Sequence, residues 1–198
     1  MMMEMFGASF AMMLMLPYLM AFSLLPIIIY IVARWRQSKE GHRDSQLGLK
    51  VALGFFKILG FQAALAGIWL AFYGLIAKGD NGELIRVGVG LLIPGGLVFA
   101  AHHVGIQRTN DSIFPMPVRM FEGLNLVQTG VIGFFSLIAA FVITLQKDAP
   151  GEALRLGWSL VLVYTVAWGV LAGRLLKNTL PPGPPPSATD AVVPPQHG

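Results

Sequence analysis

Cysteine is absent from all 198 residues of the chain. Its absence excludes disulfides, thiol nucleophiles, Cys-ligated zinc and iron–sulfur clusters, and it identifies no compartment. Charge is scarce: 12% of residues are Asp, Glu, Lys or Arg, against about 25% in a soluble domain. Acidic residues are missing from the interior of every long apolar run, so an intramembrane aspartyl dyad or a carboxylate proton relay has no groups to use. Neither an HExxH helix nor a P-loop occurs. Basic residues are in excess, giving a net charge of +4 and a pI near 9.6, yet they form no continuous patch of the kind a nucleic-acid partner needs.

What remains is hydrophobicity. Apolar residues make up 55% of the chain and mean hydropathy is +0.67. Long apolar runs fall at about 5–33, 51–77, 84–104, 123–145 and 155–176. Each is long enough to cross a hydrocarbon core of ~30 Å, which takes about 20 helical residues. The fold class expected is an all-α integral membrane protein: five transmembrane helices in one domain, residues 1–178, with no room for a soluble domain. The first run is preceded by acidic Glu4 and by no basic leader. It also exceeds the roughly 7–15 apolar residues of a signal peptide, so it reads as a retained span. Its length predicts tilting or bending, with Pro17 and Pro26 as the points of weakness. Pro94-Gly95-Gly96 predicts a bend or loosening in the third span. Residues 179–198, rich in proline, read as a disordered tail.

Lys and Arg set the orientation. Arg34, Arg36, Lys39, Arg43, Lys50, Arg108, Arg119, Arg174 and Lys177 fall on one side of the spans, and Lys78, Arg86, Lys147 and Arg155 on the other. Nine against four predicts the first side to be cytoplasmic, in a bacterial-type inner or plasma membrane, with the N-terminus outside and the C-terminus inside.

An internal repeat is legible at the turns. "KGDNGELIRVG" (78–88) and "KDAPGEALRLG" (147–157) share Lys78/Lys147, Gly82/Gly151, Glu83/Glu152, Arg86/Arg155 and Gly88/Gly157. The same offset of 69 pairs Gly54 with Gly123, Ala71 with Ala140 and Phe72 with Phe141. One leading span and two tandem, parallel hairpins, about 51–104 and 123–176, are therefore expected. In each turn the Glu sits at the positive end of the returning helix dipole, and Arg follows three residues later within ion-pair reach. Hairpin tips at an aqueous interface explain that pattern; matched outer gates are the functional alternative.

Small residues recur at helical spacing. The second span has Gly60, Gly67 and Gly74 with Ala64 and Ala71; the fourth has Thr129, Gly133, Ser136 and Ala140; the fifth has Thr165, Gly169 and Gly173. Such stripes let helix backbones approach in lipid, as interior seams or as subunit contacts.

Polar residues inside the spans gather at one depth. Lys57, Asn125 and Gln128 lie about twenty residues from their turns, and His102 and His103 nearly as far. At 1.5 Å per residue this places all five about 30 Å from the turns, with Gln62 roughly 7 Å further into the core. Lys57 has two readings. Its long side chain reaches the headgroups, pairing with Glu122 or helix-end carbonyls, Asp44 being the other acid within range. Alternatively, it lines a polar vestibule that favours anions. The layer is not repeated between the hairpins, since Lys57 aligns with Leu126 and His102 and His103 with Leu171 and Ala172.

No catalytic set emerges. Haem held by two histidines needs them on separate helices, and His102 and His103 are neighbours. A pair of Asp111 with His102 or His103 has no nucleophile beside it. No cofactor is expected; haem, and a quinone or lipid pocket formed by Trp69, Trp158, Tyr164 and Trp168, remain alternatives. The expectation is a non-catalytic, structural or assembly subunit of a membrane complex. Its partners would be the lipid bilayer and a second copy or other membrane subunits, with no nucleic acid. A small channel or carrier for an anion or small polar solute is the rival.

Overall fold

In the computed structural model of the chain, residues 24–39, 41, 44–79, 81–109 and 115–179 are described, and every regular element among them is an α-helix. The described part of α1 covers 24–39. It is followed by α2 (Leu47–Ile76), α3 (Gly82–Gln107), α4 (Met116–Leu145) and α5 (Gly151–Thr179). Four of these, α2 to α5, are long and apolar enough to cross a membrane. The expected first span, 5–33, lies largely outside the described residues, as do Pro17, Asp111 and the tail from residue 180 onward.

Local chemistry explains where the helices begin. Asp44 accepts a hydrogen bond from the backbone N–H of Gln46 (2.8 Å), ordering the approach to α2. Pro117 occupies the first turn of α4, where its missing N–H costs no helix bond. Glu83 and Glu152 stand in the first turns of α3 and α5, facing the positive ends of the dipoles. Within α3, Pro94 removes one backbone donor, yet the helix runs unbroken from Gly82 to Gln107.

The two hairpins coincide in outline. α4 begins and ends 69 residues after α2, and α5 begins 69 residues after α3. Their turns, 77–81 and 146–150, are equal in length but follow different paths. Gly79 adopts a left-handed φ of +99°, which favours glycine, whereas its counterpart Asp148 does not. The second turn closes instead on Pro150, whose carbonyl accepts the N–H groups of Ala153 and Leu154 at 2.9 and 3.3 Å.

Helix contacts within the hairpins keep one register. Gly88 packs on Ala71, and Gly157 packs on Ala140, at the same offset. Gly95 meets Ala64, and Tyr164 meets Gly133. Phe99 lies against Phe61 at 5.7 Å between ring centroids, and Trp168 lies against Gly130. The seams differ in closeness. A Cβ on Gly67 would stand 2.5 Å from the Leu92 nitrogen, and one on Gly60 2.5 Å from the Phe99 nitrogen. In α2–α3, backbone therefore packs on backbone. One on Gly133 would meet Tyr164 Cβ at 3.6 Å and the Tyr164 and Thr165 backbone at 3.8–3.9 Å, all ordinary contacts, so that part of α4–α5 is about an ångström less tightly packed. Pro94-Gly95-Gly96 thus serves helix approach through Gly95, while Gly96 meets nothing within 4 Å.

α2 is the hub. It packs along α3 and also meets both α4 and α5, whereas α3 makes no comparable contact with the second hairpin. At the end remote from the turns, Ile29 and Ala33 of α1 join Leu47, Val51 and Ile58 of α2 and Phe121 of α4 in a small apolar core. Elsewhere large apolar side chains face outward, with Leu145 82% and Leu75 72% exposed, while Thr129 is fully buried. Lys50 is fully buried too, 2.7 Å from Asp44. An outside so apolar is stable only against lipid.

The close seam has a measurable consequence. Gly67→Ala forces backbone apart and is expected to destabilise the protein by about 1–3 kcal/mol in denaturant titrations in detergent. Gly90→Ala, which meets nothing within 4 Å, should leave stability equal or raise it by up to about 1 kcal/mol. Equal midpoints for Gly67→Ala and wild type would refute the backbone contact.

Candidate functional site

Two hydrogen-bonded clusters join the hairpins. Near the middle of α2, Gln62 donates through Nε2 to Asn125 Oδ1 at 2.9 Å and to Thr129 Oγ1 at 3.0 Å. Thr129 in turn donates to the Asn125 backbone carbonyl at 2.8 Å. The sequence expectation set Gln62 deeper than Asn125; its side chain bridges that difference. Near the turns, Glu152 accepts from Arg155 (2.7 Å), from the Lys78 backbone N–H (3.1 Å) and from the Tyr73 hydroxyl (3.4 Å). Between the two, Trp69 donates its indole N–H to Ser159 at 3.1 Å. These pairings put both turns at the same end of the bundle.

Lys57 lies 3.6 Å from Glu122, with the side chains 17% and 39% exposed. A contact this long and this open contributes at most about 1 kcal/mol. Asp44 is not its partner, being engaged by Lys50. The two histidines diverge. His102 Nδ1 contacts the Val98 carbonyl at 2.7 Å and its ring packs on Phe56. His103 stacks on Phe99, its Nε2 lies 3.2 Å from Gln107 Nε2, and its Nδ1 is buried without a partner. Gln62 Oε1 and Gln128 Oε1 are likewise buried and unpaired.

A cleft of about 870 Å³ opens between the hairpins. Its deep walls are apolar: Phe61, Leu65, Ile68 and Phe72 from α2, with Leu162 and Val166 from α5. Its other end is charged, with Lys57, His103, Glu122, Arg174 and Lys177. Lys57, Arg174 and Glu122 all lie within electrostatic range of the His103 ring. Neither Arg174 nor Lys177 has an ion-pair partner among the described residues. Such a cleft can hold an anion at its mouth and apolar substance within; it brings no nucleophile up to an acid–base pair. No cluster of three His, Asp or Glu suited to a metal occurs among the described residues.

The remaining sequence candidates scatter. Gln128 does not line the cleft. Glu83 and Arg86 are exposed and form no ion pair among the described residues, unlike their counterparts Glu152 and Arg155. Lys147 is exposed on its turn. Gly60, Gly67 and Gly74 all pack against α3, and Gly133 packs against α5, but Gly169 and Gly173 meet nothing within 4 Å among the described residues. Trp69, Trp158, Tyr164 and Trp168 do not assemble into one pocket: Trp69 bonds Ser159, Trp158 bonds Thr144 at 3.2 Å, and none of the four lines the cleft. Arg174 and Lys177 entered the sequence reading only as topology charges. Their spacing of three or four from Val163, Ala167 and Val170 places them on the cleft face of α5.

No family model matches the chain, and neither a curated protein nor a solved structure matches it.

Gln62→Leu removes both inter-hairpin bonds from Gln62 and is expected to cost about 0.6–2 kcal/mol in a detergent unfolding assay. In a double-mutant cycle with Thr129→Val, the two losses should overlap by about 0.5 kcal/mol or more. Strict additivity would mean that the 3.0 Å contact contributes nothing.

Proposed function

We propose that the protein is a non-catalytic integral membrane subunit whose work is association within the bilayer, with a second copy or with other membrane helices. The carrying observation is the bare face of α5. Gly60, Gly67 and Gly74 of α2 are used up against α3, while Thr165, Gly169 and Gly173 stand exposed at four-residue spacing, the two glycines with no described residue within 4 Å of an added Cβ. In lipid, a stripe of this kind lets a neighbouring helix approach closely. α3 adds a second side with few partners, because among the described residues it meets α2 and little else. The hairpins are read as tandem repeats of one ancestral helix pair, on the support of their shared boundaries and contact register.

The cleft favours a second reading, a small carrier or channel with an anion-attracting mouth. Against it, the walls beyond the mouth are mostly Leu, Ile, Phe and Val. Asn125 also lines the cleft but its Oδ1 is engaged by Gln62, so a polar solute would lose its water with little to replace it. Association therefore stands first.

Extraction in mild detergent followed by light scattering should give a mass above that of one 21.4 kDa chain, or defined copurifying subunits. Gly169→Leu with Gly173→Leu should release the monomer. A lone monomer in the wild type, together with solute flux in vesicles that changes with Lys57→Glu, would replace association by transport.

Orientation is testable separately. The chain holds no cysteine, so Lys78→Cys creates a unique label site. An impermeant maleimide should reach it from outside intact cells. Labelling only after the membrane is opened would invert the proposed topology.

A further inference from the structure

We propose that the cleft between the hairpins is a binding site for one anionic phospholipid of the surrounding leaflet, with a single acyl chain inside and the phosphate at the mouth. The inference goes beyond association and does not rest on it.

Three observations specify the occupant. The first is charge: Lys57, Arg174 and Lys177 present three cations at the mouth against the single carboxylate of Glu122. Glu122 sits a loose 3.6 Å from Lys57, and the other two have no ion-pair partner among the described residues. An anion placed there gains attraction without breaking a tight native pair. The second is polarity along the slot. Beyond the charged end the lining is dominated by Phe61, Leu65, Ile68, Leu162 and Val166, with Asn125 a polar exception whose Oδ1 is held by Gln62. Such a lining suits a hydrocarbon tail better than a hydrated solute. The third is length. The lining positions on α5 from Arg174 to Leu162 span about 18 Å at 1.5 Å per residue, close to one leaflet's share, about 15 Å, of the hydrocarbon core. A chain entering at the headgroup level therefore runs toward the bilayer midplane. His103, with its buried Nδ1 unpaired, adds one polar contact at the level of the phosphate or glycerol.

Native mass spectrometry of the full chain tests this, after exchange through mixed micelles of phosphatidylglycerol and phosphatidylcholine in equal amounts. One phosphatidylglycerol should be retained in strong preference to phosphatidylcholine. Lys57→Gln and Arg174→Gln should each lower that preference about fivefold, the effect of one cation near an anionic surface. Lys39→Gln, a cation near Trp35 and away from the cleft, should leave it unchanged. Val166→Trp fills the slot and should abolish the retained lipid while the three cations remain. Because the count is read on each oligomer separately, it does not depend on whether the protein associates. Equal retention of the two lipids, or an unchanged count in Val166→Trp that remains folded by circular dichroism, would overturn the proposal. A preference that falls as much with Lys39→Gln as with Arg174→Gln would also overturn it, because the attraction would then be general to the surface.

Discussion

Helices immersed in lipid gain nothing by hiding apolar surface from one another, since the tails are as apolar as leucine. Cohesion must come from close backbone approach and from polar groups that have no water to turn to. The architecture follows from that constraint. Along α2 the backbone is stripped of side chains at Gly60 and Gly67, so that α3 packs on it directly. Where the hairpins meet, the contact is hydrogen bonded: Gln62 to Asn125 and Thr129, Trp69 to Ser159, and Glu152 to Tyr73 and the Lys78 amide. Polar Lys50, Thr129 and Ser159 are among the most deeply buried side chains, and outside the small core many large apolar ones look outward.

A bundle held this way tolerates empty space. In water a cleft lined by Phe, Leu and Ile would cost much of the stability of the fold. In a bilayer the same walls are wetted by hydrocarbon, and a gap between hairpins is simply a place where lipid can stand. α2 touches both α4 and α5, while α3 stays outside. The hairpins therefore splay on one side of α2, and that asymmetry opens the cleft. The charged mouth gives the gap a preferred end.

The charged groups divide by depth. Asp44 and Lys50 form a fully buried pair at the start of α2, and an ion pair of that kind locks a position because breaking it strands a charge. Lys57 and Glu122, further along, are long and half open, so they remain free to engage something else. Burial accounts for the difference. The first pair has side chains 0% and 2% exposed, whereas the second lines the cleft.

Much of this was written in the sequence. Apolar runs marked α2 to α5 because a spanning helix must satisfy its backbone internally over a fixed thickness, which leaves a length that can be counted. The repeated Lys, Gly-Glu, Arg and Gly of the turns gave the offset at which helix boundaries and contact register later coincide, and Glu122 was already a named partner for Lys57. Tertiary structure alone decided which small residues meet a neighbour. Gly67 and Gly169 look alike in a periodic pattern, yet one lies against Leu92 and the other faces open space. It also decided that Arg174 and Lys177, topology charges by composition, stand at the mouth of a cleft. Periodicity specifies the face a residue occupies on its own helix; which helix comes to that face depends on packing between hairpins, and one-dimensional spacing carries no record of it.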